Sequence, residues 1–357
     1  MSRIAILSFY TGIVDRGVET FAFEMSKRLK NNHQVVIIQA GTITQQAGVR
    51  AHQINIDTDQ PKSSKGIFGK LYLDNQSRKI FLFTLKAIPQ IIKGKFDLII
   101  PLNGGWQVSV VRILTKIIGA KILVSGHAGI GADDAWNLFW RPDAFVALTS
   151  AQKSWAQALS PETKVEMIPN GVDLAKFNPK IKPKEIKLKK PIVVCASALV
   201  PYKRIDLTIK AVARSKDLSL LILGDGEMQG YLDSIGKRLL KNRYLRLNPQ
   251  YSEMPSYYRA GKVFTLASVT EAFGISYLEA MACNLSVVTT SDSSRQEIIG
   301  NAGILTDPTN IKSYSKDLEI AAKTNYRSIP YDQALKFSWN KIAIKYSKLI
   351  NELAKNK

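Results

Sequence analysis

Hydrophobic and polar positions along the chain fall into two kinds of run. Short unbroken apolar stretches of strand length are followed by longer stretches in which apolar residues recur at helical spacing. The first unit is a strand from Ile4 to Phe9, a loop carrying Gly12 and Gly17, a helix over VETFAFEMSKRLK and a second strand, QVVIIQ. Strands that are apolar throughout suit a parallel sheet covered on both faces. FDLII, KILVS, AFVAL and KVEMI continue the series, separated by helix-like segments that include WQVSVVRILTKII and AQKSWAQAL. After IPNGVD the pattern breaks at KIKPKEIKLKK, six lysines and one glutamate between Lys180 and Lys190. A second series follows: PIVVCASAL, a helix from Asp206 to about Arg214, LSLLILG, a helix from about Glu227 to Leu240, YLRLN, VFTLAS, a helix after Gly274, and LSVVTT. Two such series predict an α/β protein of two Rossmann-like domains facing each other across a cleft. The first is expected over residues 1–170 and the second over 171–338. A final helix, Trp339 to about Leu353 within 339–357, has no strand after it and is expected to cross back to the first domain.

A length of 357 residues with 45% apolar content agrees with roughly two domains. No stretch approaches the ~20 apolar residues of a membrane span, and MSRIAILSFYTG enters a strand without a signal-peptide pattern, so a cytoplasmic location is expected. Cys195 and Cys283 lie in apolar runs without a CxxC pair and read as core residues, with no disulfide or zinc site. The net charge of +21 points to an anionic partner: nucleic acid, an acidic membrane surface or a phosphorylated small molecule.

TEAFGISYLEAMACN, Thr270 to Asn284, narrows that choice. The amides of Phe273, Gly274 and Ile275 fall where a strand hands over to a helix, and a helix start offers free N–H donors and partial positive charge to a phosphate. Glu271 and Glu279 flank this turn. A carboxylate beside a phosphate needs donors of its own, and the vicinal hydroxyls of a ribose supply them.

The run EAFGISYLE resembles the E-x7-E signature of family-4 retaining glycosyltransferases with the GT-B architecture. RGVE, IPNGVD, ALVPYKRIDLTIKA, ILGDGE, EAMAC and KFSWNKIA occur in that family's order and spacing, leaving mainly residues 42–95 unmatched. The resemblance implies a retaining transfer of a hexose from a nucleoside diphosphate sugar, UDP or GDP, to an acceptor hydroxyl of a lipid-linked or surface glycan precursor. The first domain would bind the acceptor and the second the nucleotide sugar. By position, Glu279 matches the glutamate that holds the ribose and Glu271 the one near the donor sugar. Phe273, Gly274 and Ile275 match the turn whose amides meet sugar and diphosphate. Gly17 matches the first-domain glycine that approaches the diphosphate, Lys203 the lysine that neutralises it, and His127 a histidine that contacts the transferred sugar. His33 and His52 lack such a setting and are expected at the surface. The resemblance implies no cofactor and no metal. Two departures stand out. Where the family has Arg in a GRL run, this chain has Ala198, and Arg204 is the candidate replacement; Asn284 stands where the family has Gly, and Asn also tolerates the left-handed conformation at a helix end.

Other readings fit the residues less well. A GT-B nucleotide-sugar epimerase would form product without an acceptor. A glycoside hydrolase needs carboxyls about 5–5.5 Å apart, whereas eight helical residues rise ~12 Å. A nucleic-acid binder needs a recognition motif, and none is present. GDGEMQG has GxGxxxG spacing with Arg246 where a dinucleotide site needs an acid. Asp57 and Asp59 form an isolated DxD. Finally, Lys62 to Lys95 carries eight basic residues against Asp74, interleaved with Phe68, Tyr72, Phe81 and Phe83, a pattern that predicts peripheral attachment to an anionic membrane at its inner face.

Overall fold

The computed structural model describes residues 1–14, 17–42, 48–59 and 72–355. The chain divides into two units, Met1–Asn170 with Trp339–Lys357, and Gly171–Ser338.

In the first unit the apolar runs become a seven-stranded parallel sheet of order β3-β2-β1-β4-β5-β6-β7. The strands are β1 (Arg3–Ser8), β2 (Gln34–Gln39), β3 (Arg50–Gln53), β4 (Leu98–Pro101), β5 (Lys121–Ser125), β6 (Ala144–Ala147) and β7 (Lys164–Met167). Helices α1 (Gly17–Leu29), α2 (Asn75–Gly94), α3 (Gly105–Ile118), α4 (Ala132–Phe139) and α5 (Ser150–Leu159) connect them. Two apolar clusters result. One gathers Phe9, Phe83, Val108 and Phe145; the other gathers Ile6, Phe21, Val146, Trp339 and Tyr346. The last two belong to the helix that follows the second unit in sequence, Trp339–Lys355, which packs on α1.

The second unit has a six-stranded parallel sheet of order β10-β9-β8-β11-β12-β13. Its strands are β8 (Ile192–Ala196), β9 (Ser219–Leu223), β10 (Tyr244–Leu247), β11 (Val263–Leu266), β12 (Ser286–Thr290) and β13 (Gly303–Thr306). Its helices are α6 (Ile205–Arg214), α7 (Gln229–Leu240), α8 (Met254–Ala260), α9 (Ile275–Ala282), α10 (Ser293–Ile299), α11 (Ile311–Lys323) and α12 (Ile329–Leu335), after which Trp339–Lys355 is α13. Strand order reverses between β1 and β4 in one sheet and between β8 and β11 in the other. Loops leaving the carboxyl ends of such a pair diverge to opposite faces and open a crevice there, where open α/β sheets bind ligands.

Three expectations need correction. His33 is 2% exposed, its Nε2 2.8 Å from Ser347 Oγ on α13, so it ties helix to sheet instead of lying at the surface. Burial and the nearby N-terminal charge hold its pKa below the usual imidazole value. Phe83 is fully buried against Phe9, and Tyr72 turns inward to donate to Asp133 Oδ1 at 2.7 Å, so neither is offered to a membrane. The outer face of α2 instead exposes Leu82, Leu85 and Ile92. Lys62, Lys65, Phe68 and Lys70, and Arg16 of RGVE, lie outside the described residues. Cys195 and Cys283 are core residues, and Asn284 takes the left-handed conformation expected of it, with φ of 64°. Its side chain donates to Arg327 O and accepts from Tyr331 N, fixing the C-terminal end of α9.

Candidate active site

Lys203 stands on the loop after β8 and Glu271 on the loop after β11, the two strands between which the second sheet reverses. The loop after β8 is fixed from below. Ser197 N donates to Leu223 O and Leu199 N to Asp225 O, and Gly224 comes so close that a Cβ there would lie 2.1 Å from Ser197 O. Gly224 and Gly226 of GDGEMQG therefore serve close packing of two loops, and Arg246 pairs with Asp233. The chain then makes one left-handed step at Arg204, φ 48°, into α6.

That geometry brings Lys203 Nζ to 2.5 Å from Glu271 Oε1, with both side chains about nine-tenths buried. Ser268 Oγ donates to the same carboxylate oxygen at 2.6 Å. Two guanidinium groups hold the Glu271 loop by its carbonyls: Arg204 Nε donates to Ala267 O at 2.6 Å, and Arg295 Nη2 to Ser268 O at 3.0 Å. Thr290 Oγ1 also donates to Ser268 O. Arg295, 3% exposed and bonded to Asp292 and Tyr277, is a residue the sequence did not flag. Arg204 is thereby a strut under the loop through Nε, with Nη2 3.4 Å from Thr290 Oγ1. Ala198, at the family arginine position, is exposed.

Phe273 is buried with its ring 6.1 Å from that of Phe337, and Gly274 caps α9 with φ of 84°. A Cβ on Gly274 would lie 2.4 Å from the Tyr277 ring, so only glycine fits, and Ile275 begins the helix with its amide at the helix start. One turn on, Glu279 is 6% exposed. Tyr251 OH donates to its Oε1 at 2.8 Å and Tyr258 OH to its Oε2 at 3.0 Å. Burial raises the Glu279 pKa, and the two phenols and Lys176 oppose the shift. Lys176 Nζ sits 3.6 Å above the Tyr251 ring. Nothing in the local sequence signals this phenol pair, because Tyr251 reaches Glu279 from the loop after β10 and Tyr258 from α8. The two glutamates thus belong to separate hydrogen-bond networks, one ion-paired and one phenolic.

In the first unit, Gly17 is the first residue of α1. His127 follows β5 with its ring centroid 4.6 Å from that of Phe21, and its Nε2 is buried without a partner among the described residues. Burial drops its pKa to about 4, so the ring is neutral at physiological pH. The loop bearing it is held from behind: Gln152 Nε2 donates to Gly126 O and Asp134 Oδ2, and Gly129 N donates to Asp134 Oδ2. Asp57 of the DxD pairs with Lys79 at 2.6 Å, and among the described residues no cluster of three or more His, Cys, Asp or Glu is placed to hold a metal ion.

Residues 16–176 match the model described as Glycosyltransferase Family 4, and residues 177–334 the one described as Glycosyl transferases group 1. A GDP-mannose-dependent monoacylated alpha-(1-6)-phosphatidylinositol monomannoside mannosyltransferase of Corynebacterium glutamicum is 28% identical over 42% of this chain and 45% of its own length. A component of the phosphatidylinositol N-acetylglucosaminyltransferase of Arabidopsis thaliana is 29% identical over 64% of this chain and 55% of its own. The chain thus spans about half the length of these curated relatives. The fold matches sucrose-phosphate synthase from Thermosynechococcus elongatus with a TM-score of 0.79 at 18% identity, covering 100% of both chains. It also matches the Anabaena HepE protein in complex with UDP-glucose, with a TM-score of 0.74 at 17% identity, covering 99% of this chain and 100% of that one.

Proposed function

Because the chain belongs to the family-4, group 1 glycosyltransferases with the GT-B fold, we propose that it moves a hexose from a UDP- or GDP-sugar to an acceptor hydroxyl of a lipid-linked or surface glycan precursor, with retention and without a metal. The observation that carries this reading is the Lys203–Glu271 pair at the strand-order reversal of the second sheet, beside the glycine-opened start of α9. A cation held by a carboxylate at that point can be handed to a diphosphate as negative charge grows on the leaving oxygen, which is electrostatic stabilisation aimed at the transition state. The amides at Gly274 and Ile275 add donors for the same anion, and Gly17, opening α1, supplies the first-domain approach. Glu279, already desolvated, accepts from the ribose hydroxyls on the lone pairs its tyrosines leave free. His127 Nε2, neutral and unpartnered among the described residues, meets the transferred sugar. No side chain in these networks is set up as a covalent nucleophile, so retention follows from attack on the face the diphosphate leaves, with the departing phosphate taking the acceptor proton.

Among the described residues no helix is long and apolar enough to cross a membrane. We read the outer face of α2, with Leu82, Leu85 and Ile92 beside Arg78, Lys86 and Lys93, as the surface that meets an anionic cytoplasmic leaflet, and we assign the +21 charge to that contact and to the donor instead of nucleic acid. The test of the transferase reading is donor binding. Thermal shift with a panel of UDP- and GDP-sugars is expected to single out one donor, and Glu279→Ala to abolish its shift. A panel without effect on the wild-type protein refutes the reading.

A further inference from the structure

The first unit carries a cavity of about 680 Å³ at the amino ends of β1, β2 and β3. It lies at the opposite end of the sheet from Gly17: that residue opens α1, and the helix runs 13 residues, about 20 Å, before Lys30, which lines the cavity. Strand register brings its cations to one face. Arg3 of β1 is paired with Gln34 of β2; further along β2, Val36 is paired with Arg50 of β3 and Ile38 with His52. In-register residues of parallel strands point the same way and alternate residues share a face. Arg3, Gln34, Arg50 and His52 therefore stand on the side of the sheet that Val36 and Ile38 turn toward the Phe83 cluster. Arg3 and Arg50 are two strand spacings apart, roughly 10 Å across the sheet, with Gln34 on the strand between them. Lys30 reaches the same rim from the end of α1: a Cβ on Gly48, two residues before Arg50, would lie 3.3 Å from its Nζ. The cavity opens where α2 ends, at Gly94, and Val36 and Phe96 add apolar lining.

Carboxylates do not balance these cations. No Asp or Glu is among the described lining residues. Residues 43–47, which join β2 to Gly48 in the chain and lie outside the described residues, contain no charged residue in the sequence. Asp97, next to Phe96, has its Oδ2 committed to Arg3 N at 2.9 Å and precedes β4, on the other flank of β1 from β2. The Arg50 and His52 side chains have no hydrogen-bonding or ionic partner among the described residues. Charge on an edge strand deters pairing with other chains, and a cation after the last turn of a helix suits its dipole; these reasons cover Arg50 and Lys30 singly. Neither accounts for Arg3, on a strand flanked on both sides, or for all three lining one cavity. A cleft lined by one sign of charge concentrates counter-ions, and guanidinium groups hold phosphate oxygens through paired, parallel hydrogen bonds. The Asn31 and Gln34 amides offer both donors and acceptors to hydroxyls, and the volume falls within the ~300–1,000 Å³ of small-molecule pockets.

We propose that this cavity is a binding site for a soluble sugar phosphate, with the phosphate between Arg3 and Arg50, Lys30 closing on it from the rim, and the sugar hydroxyls on Asn31 and Gln34. The ligand is an effector and not a substrate, since about 20 Å of α1 separates it from Gly17. The site stands whichever donor or reaction the carboxyl ends of the strands serve.

The experiment is isothermal titration calorimetry of the wild-type chain with glucose 1-phosphate, glucose 6-phosphate and fructose 1,6-bisphosphate, with glucose and sulfate as controls. At least one sugar phosphate is expected to bind and glucose is not. Arg3→Gln and Arg50→Gln, both at exposed positions, should each weaken that binding at least about tenfold, and Arg50→Lys, which keeps the charge, should weaken it less. His52→Glu, a further exposed position of the lining, puts an acid beside the phosphate and should also weaken it, so the readout survives if one arginine variant fails to fold. Lys203→Met, a change in the second unit, should leave it unaltered. No binding by any of the sugar phosphates, or binding indifferent to the Arg3, Arg50 and His52 variants, overturns the proposal. So does binding lost in Lys203→Met and kept in the arginine variants, which places the phosphate at the donor site. Sulfate bound as tightly as the sugar phosphates means an adventitious ion only, and flotation with phosphatidic acid vesicles when no soluble ester binds means a lipid head group; either result also overturns it.

Discussion

Replacing Lys203 by Met removes one member of a buried pair and leaves the other in place. At 2.5 Å and an effective dielectric of 20, the gross attraction is about 6–7 kcal/mol. Desolvation offsets much of that, and breaking such a pair costs about 3–5 kcal/mol because a charge is left buried alone. Glu271 would keep its bond from Ser268, which places the loss near the lower end, roughly 3 kcal/mol. For a unit of this size that is a drop of roughly 6–12 °C in the melting temperature of the second unit. The double variant Lys203→Met with Glu271→Gln removes the stranded charge and is expected to regain most of the stability. It is not expected to regain turnover, which should stay about two to three orders of magnitude below wild type, since nothing replaces the cation at the leaving diphosphate. Calorimetry or circular-dichroism melts of the three proteins, with kcat measured on the same samples, separate the two effects. If Lys203→Met melts like wild type, or the double variant melts no higher than the single one, the ion pair does not hold the loop as described. If the double variant recovers full kcat, Lys203 is not the group that neutralises the diphosphate.

The phenol pair around Glu279 makes a prediction about pH. Burial sets the Glu279 pKa above its ordinary value, and Tyr258 OH helps hold it down, so Tyr258→Phe raises it further; the native state then binds a proton more readily than the unfolded chain, and stability falls as pH rises through the window between the two values. The variant should lose about 1.5–3 kcal/mol at neutral pH, and the deficit should shrink as the pH is lowered toward the ordinary glutamate range; a deficit that grows on acidification contradicts the assignment. Activity with the selected donor is expected to persist in excess EDTA, and abolition by chelator with recovery on adding Mn²⁺ would return attention to Asp57 and Asp59. In flotation assays, binding to anionic vesicles should exceed binding to neutral ones and fall when Arg78, Lys86 and Lys93 are changed to Glu, whereas equal recovery with both vesicle types removes α2 as a membrane face.

Most strands of the two sheets were legible because parallel strands covered on both faces must be apolar along their buried run, as Ile4–Leu7 of β1, Ile122–Val124 of β5 and all of β8 are. β3, RAHQ, and β13, GILT, were not, because edge strands with mostly exposed or half-buried positions carry no such signal. The basic, aromatic run before Lys95 read as a surface pattern. Its period alone cannot say which face of α2 turns inward, and the sheet takes Phe83. Glu271, Gly274 and Glu279 were legible from spacing around one turn. Their supports were not: Tyr251, Tyr258 and Arg295 reach the site from other elements, and contacts across such separations leave no local trace. His33 was missed for the same reason, since its partner Ser347 lies 314 residues away.

The position of α13 governs the order in which the molecule can be assembled during synthesis. The second unit is one continuous stretch, Gly171–Ser338, and can close as soon as it leaves the ribosome. The first unit cannot, because Trp339, Tyr346 and Ile350, which complete the apolar cluster around Phe21 and Met25, are translated only after the second unit. Through that interval the nascent first unit presents an uncovered apolar strip along α1, a natural target for a holding chaperone. A message truncated before Trp339 would yield a well-formed second unit attached to a first unit that aggregates, and a peptide of residues 339–355 supplied separately should rescue its solubility.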